Sequence, residues 1–227
     1  MKQNELKTKS REAYELIKEM ILNGTALPGT RLILFDLEEK LGVGREPIRD
    51  ALLLLDKSGL VQNIPYKGAI VTLPPSLKEM EIIFEHRKQL EVTLVLEAIK
   101  KITKKDIEKL AKLVTDMEQH YKNEEKFFHI DRDFHKQLYK TSQMPHLLSI
   151  FEHLMDFIHT YLSQHIYTEE LIQTFNKQHK KIILGIMNKD TNLLIASLEE
   201  NINYGLQMVQ EEMKLSNNKE KTYLEPY

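Results

Sequence analysis

A mainly α-helical chain in two parts is what this sequence predicts: an N-terminal winged helix-turn-helix with a small β-hairpin, followed by an all-α helical bundle. Three observations lead there. Turn-forming residues crowd the front, at Pro28, Gly29, Gly42, Gly44, Pro47, Gly59, Pro65 and Gly68. The pair Pro74-Pro75 then fixes φ at two successive positions and forces extended backbone before it, which reads as a short stiff linker. Beyond it come long stretches with few breakers and apolar residues at helical spacing. The expected boundaries are 1–73 for the first domain, 74–76 for the linker, 77–214 for the bundle and 215–227 for a polar tail.

Between Ser10 and Asn23, Ala13, Leu16, Ile17, Met20 and Ile21 recur at helical spacing, and Gly24 supplies a stop. A turn through Leu27-Pro28-Gly29 leads to a short helix, Phe35 to Leu41, closed by Gly42. Gly44-Arg45-Glu46-Pro47 opens a third helix that runs to about Ser58, with Pro47 in the first turn, where its missing N–H is not needed. Leu60 to Asn63 and Ala69 to Thr72 flank the turn Pro65-Tyr66-Lys67-Gly68 and predict two short strands in a hairpin. That order is the order of a winged helix-turn-helix. In the second part, Ser76-Leu77-Lys78-Glu79 has the form of a capping box and starts a helix lasting to about Lys101. Another starts at Thr103-Lys104-Lys105-Asp106, and further helices are expected over about 124–141, 145–164, 168–187 and 191–214.

Composition narrows the function classes. The 227 residues contain 32 Lys plus Arg, 34 Asp plus Glu, nine His and no Cys. Without cysteine there is no disulfide framework, thiol nucleophile, iron–sulfur cluster or Cys-ligated zinc, so a metal must be held by His, carboxylate or amide groups. No apolar run reaches the roughly 20 residues needed to span a bilayer, and a cytoplasmic location is expected. The net charge of −2 argues against a nucleic-acid binder only until it is divided. Residues 1–75 hold 11 basic and 10 acidic side chains, and the remainder 21 and 24, with all nine histidines in the remainder.

A helix entering the major groove needs cationic or polar side chains near its N-terminus while its C-terminal half anchors in the core. The third helix has this layout. Arg45 and Arg49 lie one turn apart, opposite the Ile48, Leu52 and Leu55 stripe, and arginine contacts guanine or phosphate bidentately. Lys67, at the hairpin tip beside Gly68, is placed for the minor groove or the backbone. The plain alternative is a pair of ordinary solvated arginines.

At these residues the chain resembles a known family. Residues 8–72 look like the winged helix-turn-helix of the GntR superfamily of bacterial transcription regulators, in Pro28-Gly29-Thr30-Arg31-Leu32, in Leu41-Gly42-Val43-Gly44-Arg45-Glu46-Pro47-Ile48-Arg49-Asp50-Ala51-Leu52, and in Leu55, Gly59-Leu60-Val61 and Gly68. Residues 76–212 resemble the all-helical ligand-sensing FCD domain of the FadR branch. The resemblance implies DNA contacts from Arg45 and Arg49 and a close approach of Gly68 to the minor groove; with Lys67 and Arg31 these are the expected DNA-binding residues of a homodimer on a pseudo-palindromic operator. It also implies a repressor controlled by a small carboxylate effector in the bundle. Gly44 departs from the Ser or Thr usual there, which removes a capping hydroxyl, and Glu46 departs from the frequent Thr and puts negative charge near the DNA; an altered operator and lost binding are the two outcomes these departures leave open.

The bundle offers a metal or effector site. Asp131 and His135 are i and i+4, so a carboxylate and an imidazole meet on one helix face. His179 and Asn201 are 22 residues apart with Asp190 midway, so a turn there would bring the two level on antiparallel helices. The resemblance adds that this branch often binds a divalent metal through Asp-x-x-x-His, a later His and a second His 22 residues beyond, and that the metal holds the effector carboxylate. Asp131, His135 and His179 match; Asn201 stands in the fourth position, where an amide oxygen is a weaker ligand for zinc or nickel. The exchange lowers metal affinity, favours an oxygen-preferring metal such as manganese, or marks a pocket that takes its effector without metal; the plain alternative is a set of polar core or surface groups. Arg87 matches an arginine near the effector, and Glu91, four residues on, offers it a structural ion pair instead. His146, His153, His159 and His165 read as solvated or packed. Two other classes compete with a regulator: a metal-dependent enzyme, which lacks a nucleophile beside a base or a Glu-x-x-His pattern, and a helical interaction protein that uses its winged helix for protein contact.

Overall fold

The computed structural model describes residues 2–119, 124–162 and 168–223; the expected end of the fourth bundle helix at Gln164, His165 and the end of the tail lie outside them. Helices α1 (Lys2–Leu22), α2 (Leu34–Leu41) and α3 (Arg45–Lys57) and strands β1 (Arg31–Ile33), β2 (Val61–Ile64) and β3 (Gly68–Val71) precede the proline pair. They are followed by α4 (Leu77–Ala98), α5 (Lys104–Gln119), α6 (Glu124–Lys140), α7 (Pro145–Leu162), α8 (Glu169–Asn188) and α9 (Thr191–Tyr223). Packing divides the chain into two units, 1–74 with 156–164, and 75–155 with 165–227.

In the first unit α1 packs on α3. Ala13, Ile17 and Ile21 from one and Ile48, Ala51, Leu52 and Leu55 from the other are fully or almost fully buried, and Leu32, Val61, Ala69 and Val71 close the core from the sheet. Each Val, Leu or Ile side chain among them contributes about 1.5–3 kcal/mol by leaving water. The α2–α3 turn depends on Gly42, left-handed at φ 65°, whose N–H returns to Glu38 O, and on Val43, which plugs the core.

The hairpin forms as expected, but a third strand joins it. β1 pairs antiparallel with β3, giving the order β1-β3-β2, where the sequence reading had only a turn running into Arg31 and Leu32. Three residues are too few to show an alternating pattern. What makes them a strand is an available edge on β3, with Leu32 opposite Ala69. That edge also explains Gly68. It pairs with Ile33 on one side and Ile64 on the other, its φ is +113°, and a Cβ there would sit 1.9 Å from Leu32 O.

In the second unit the caps are those the sequence carries. Ser76 Oγ accepts from Glu79 N, Thr168 Oγ1 from Leu171 N, and Thr103 and Asp106 bond each other reciprocally. Asp106 is held below the usual carboxylate range chiefly by Thr103. The turn at 188–191 makes α8 and α9 an antiparallel pair: Lys189 is left-handed at φ 54°, and Asp190 Oδ1 accepts from Leu193 N. Gly185 lets the two helices touch, since a Cβ would lie 2.8 Å from Leu194 N. α9 continues to Tyr223, through the segment expected to fray as a tail.

Gly68→Ala is expected to unseat β1 and cost at least ~2 kcal/mol, from left-handed strain and displacement of the Leu32 carbonyl. Chemical denaturation followed by circular dichroism checks this; an unchanged midpoint would remove the close-approach explanation.

Candidate nucleic-acid groove and candidate metal centre

Four of the five residues singled out in the first unit line one groove of 490 Å³: Arg31 from β1, Arg45 and Arg49 from α3, and Lys67 from the wing turn, together with Phe35 and Tyr66. All four cations are exposed. They arrive there because α3 buries its Ile48, Leu52 and Leu55 stripe and thereby turns Arg45 and Arg49 outward, while the alternation of β1 turns Arg31 out as Leu32 goes in. Arg45 is partly engaged, since its Nε donates to Glu38 Oε2 at 2.6 Å and its guanidinium lies 5.8 Å from the Phe35 ring centre. Gly44 is the N-cap of α3 and makes no side-chain cap, as the missing hydroxyl requires. Gly68 is buried against β1, so its role is in the sheet.

Sequence reasoning passed over Tyr66. It sits at the third position of the turn closed by Lys67 N to Ile64 O, at φ 65°, and is 92% exposed. A turn with proline second and positive φ third normally takes glycine or asparagine third. A large aromatic there, unburied and left-handed, is an unusual choice, and it lines the groove beside Lys67. The signal was legible in Pro65-Tyr66.

The polar set of the second unit converges. One ligand atom from each of Asp131, His135 and His179 lies within 4.8 Å of the others. α6 supplies the first two from adjacent turns, and α8 supplies the third. His179 Nε2 is 3.1 Å from Asp131 Oδ1 and 3.4 Å from His135 Nε2. Both imidazoles are fully buried and edge-packed by Phe134. His179 Nδ1 lies 2.8 Å from Phe175 O, and a carbonyl only accepts, so the N–H of the neutral ring is on Nδ1 and its Nε2 carries a lone pair. Asp131 Oδ1 consequently has no aligned donor, although Nε2 is at hydrogen-bond distance. Burial tends to raise the Asp131 pKa, but with the imidazoles protonated, so that His179 donates from Nε2 as well, His179, His135 and Arg87 outweigh it and bring it to about 2. Burial pushes His135 down despite Glu91 and Asp131, so its ring is neutral near pH 7.

The remaining expected residues have these surroundings. Arg87, on α4, donates Nε to Glu91 Oε1 at 2.5 Å, with both side chains buried, so the structural ion pair is formed. Asn201 is buried on α9 and donates Nδ2 to Gln178 Oε1 at 3.1 Å, one residue from the register expected with His179. His146 and His153 are exposed and His159 is buried. Glu91 and Tyr139, both fully buried beside His135, were not anticipated as a pair: Tyr139 OH donates to Glu91 Oε2. Tyr139 lies four residues beyond His135, which was the available clue.

The three converging atoms are acceptors, and two buried or nearly buried carboxylates, Glu91 and Asp131, face one buried guanidinium. That donor set fits a divalent cation, because two imidazole nitrogens and one carboxylate oxygen are the ligands such ions take.

Comparison with known proteins identifies the family of each part. Residues 9–71 match the model for bacterial regulatory proteins of the gntR family, and residues 81–203 match the FCD domain. The chain is 28% identical over 180 residues to the uncharacterized HTH-type transcriptional regulator YdhC of Bacillus subtilis, covering 78% of this chain and 80% of that protein. It is 28% identical over 202 residues to the gluconate operon transcriptional repressor of the same organism, covering 84% and 80%. Among solved structures, Escherichia coli McbR/YncC superposes with a TM-score of 0.81 at 23% identity, over 90% of this chain and 98% of that one, a likeness of fold.

Asn201→Leu and Gln178→Leu should each destabilise the protein by about 1–3 kcal/mol, because each leaves the other's amide buried without its partner. The double variant should cost less than the sum. Additive losses in a denaturation cycle would show that the two amides are not coupled.

Proposed function

For this chain, which belongs to the GntR family of bacterial regulatory proteins and carries an FCD domain, we propose the role of an effector-controlled repressor. It binds its operator as a homodimer through Arg31, Arg45, Arg49, Lys67 and the wing around Gly68. The observation that carries the DNA-binding assignment is the groove in which four exposed cations from three separate elements meet. Arginine at the start of a helix in the major groove reads guanine or clamps phosphate, and lysine at a wing tip adds backbone attraction. Repression is supported by the similarity to the gluconate operon repressor.

The control site is the buried set in the second unit. Asp131, His135 and His179 would hold a divalent ion such as Zn, Mn or Ni, and the ion would supply a Lewis-acidic anchor for an effector carboxylate. At position 201 an amide replaces a fourth imidazole. With Nδ2 engaged by Gln178, its oxygen is what remains for a cation. Arg87 adds positive charge to the same site: Glu91 takes its Nε, and a guanidinium carries further donors for an organic acid. Operator affinity then depends on effector by linkage.

Arg49→Ala is expected to lower operator affinity and flatten its salt dependence by about one phosphate contact. A gel-shift or anisotropy titration across salt concentrations reads both quantities, and wild-type values in the variant would sink the groove assignment. Excess Zn, Mn or Ni should raise the melting temperature of the metal-stripped protein, and Asp131→Ala or His179→Ala should abolish the rise. If the wild-type protein shows no rise, and contains no metal by elemental analysis, the metal reading is wrong.

A further inference from the structure

The two histidines of the metal centre are oriented by different devices. His179 gives its Nδ1–H to Phe175 O, one turn back along its own helix, a bond that any histidine in that rotamer can make. His135 instead faces a side-chain pair. Its Nδ1 is 3.2 Å from Tyr139 Oη and 3.5 Å from Glu91 Oε2. Tyr139 OH donates to that same Oε2, while Glu91 Oε1 takes Arg87 Nε. Glu91, Tyr139 and His135 are all fully buried, so water does not substitute for any member.

Proton directions follow from the inventory of each group. The Glu91 carboxylate, paired with Arg87, only accepts. The single proton of Tyr139 therefore points at Glu91, and its oxygen is left as an acceptor toward His135. An imidazole facing two acceptors at Nδ1 places its proton there and its lone pair on Nε2.

We propose that Glu91, acting with Tyr139, is the positioning residue of the metal centre: it fixes His135 in the Nδ1–H tautomer and so holds Nε2 open toward Asp131 and His179. Without a cation, this arrangement is unfavourable on the other side of the ring. His135 Nε2 and His179 Nε2 face each other at 3.4 Å, and Asp131 Oδ1 lacks an aligned donor. Moving the His135 proton to Nε2 would relieve that conflict by donating to the neighbouring acceptors, and would close the site to a metal. The Glu91–Tyr139 pair opposes that move. Second partners of this kind typically change metal affinity 10–100-fold when removed.

The inference rests on the metal reading for its consequence, but its core, tautomer control, is measurable without metal. In the metal-stripped full-length protein labelled with 15N-histidine, long-range proton–nitrogen correlation spectra should report His135 as Nδ1–H. Tyr139→Phe, which removes one hydroxyl from the relay, should shift His135 toward Nε2–H. Glu91→Gln, which keeps the shape of the side chain, should do the same and covers the case in which one variant fails to fold. Each variant should also weaken binding of Zn or Mn about 10–100-fold in chelator competition; Tyr139→Phe should lower the metal-free melting temperature less than Glu91→Gln, which leaves Arg87 buried without its charge partner. His135 remaining Nδ1–H in both variants, with unchanged metal affinity, overturns the proposal. If the wild-type protein binds no metal yet the tautomer still switches, the metal reading fails and the positioning role stands.

Discussion

Three electron-pair donors aimed at one another in a largely buried space are an unfavourable arrangement, and the polar interior of the second unit is built around them. Asp131 Oδ1, His135 Nε2 and His179 Nε2 are brought together by α6 and α8, with Phe134 packed against both rings. In a low-dielectric interior such groups are tolerated only when something positive answers them. Arg87 answers in part, through its charge on Asp131 and its bond to Glu91. A cation at the convergence point would answer the rest, and the proposed metal centre rests on that fit.

The first unit uses charge in the opposite way. Its cations are exposed, come from three elements, and are arranged by what those elements bury. Arg45 and Arg49 face outward because Ile48, Leu52 and Leu55 face inward, and Arg31 because Leu32 does. The near-neutral total charge is therefore uninformative about DNA: four local cations in one groove can dominate the field met by a phosphate backbone. Glu38 already holds Arg45 by one nitrogen, and at this exposed pair the interaction is worth at most about 1 kcal/mol, so a phosphate can displace it.

Most of the helices were legible in the sequence because their start and stop chemistry is local. Ser76, Thr168 and the Thr103–Asp106 pair cap where their side chains reach nearby N–H groups, and Gly42 closes α2 because it tolerates φ 65°. The α8–α9 register was recoverable from one turn, with Asn201 meeting Gln178 beside His179. β1 was not legible, since three residues become a strand only when another strand's edge is offered to them. The reach of α9 into the polar C-terminal segment was missed as well.

The candidate ligands divide along the same line. The spacing of Asp131 and His135 determines that they share a helix face, and the order of Arg45, Pro47, Arg49 and Leu52 determines which side of α3 is charged, because both follow from the 3.6-residue period. Only the tertiary structure decided that α4 delivers Arg87 and Glu91 to the far side of His135, that Tyr139 closes the relay between them, and that Gly68 serves the β1 carbonyl. Those are contacts between segments as many as 48 residues apart. Helical periodicity fixes directions within one element, whereas the distance between two elements is set by how their side chains pack.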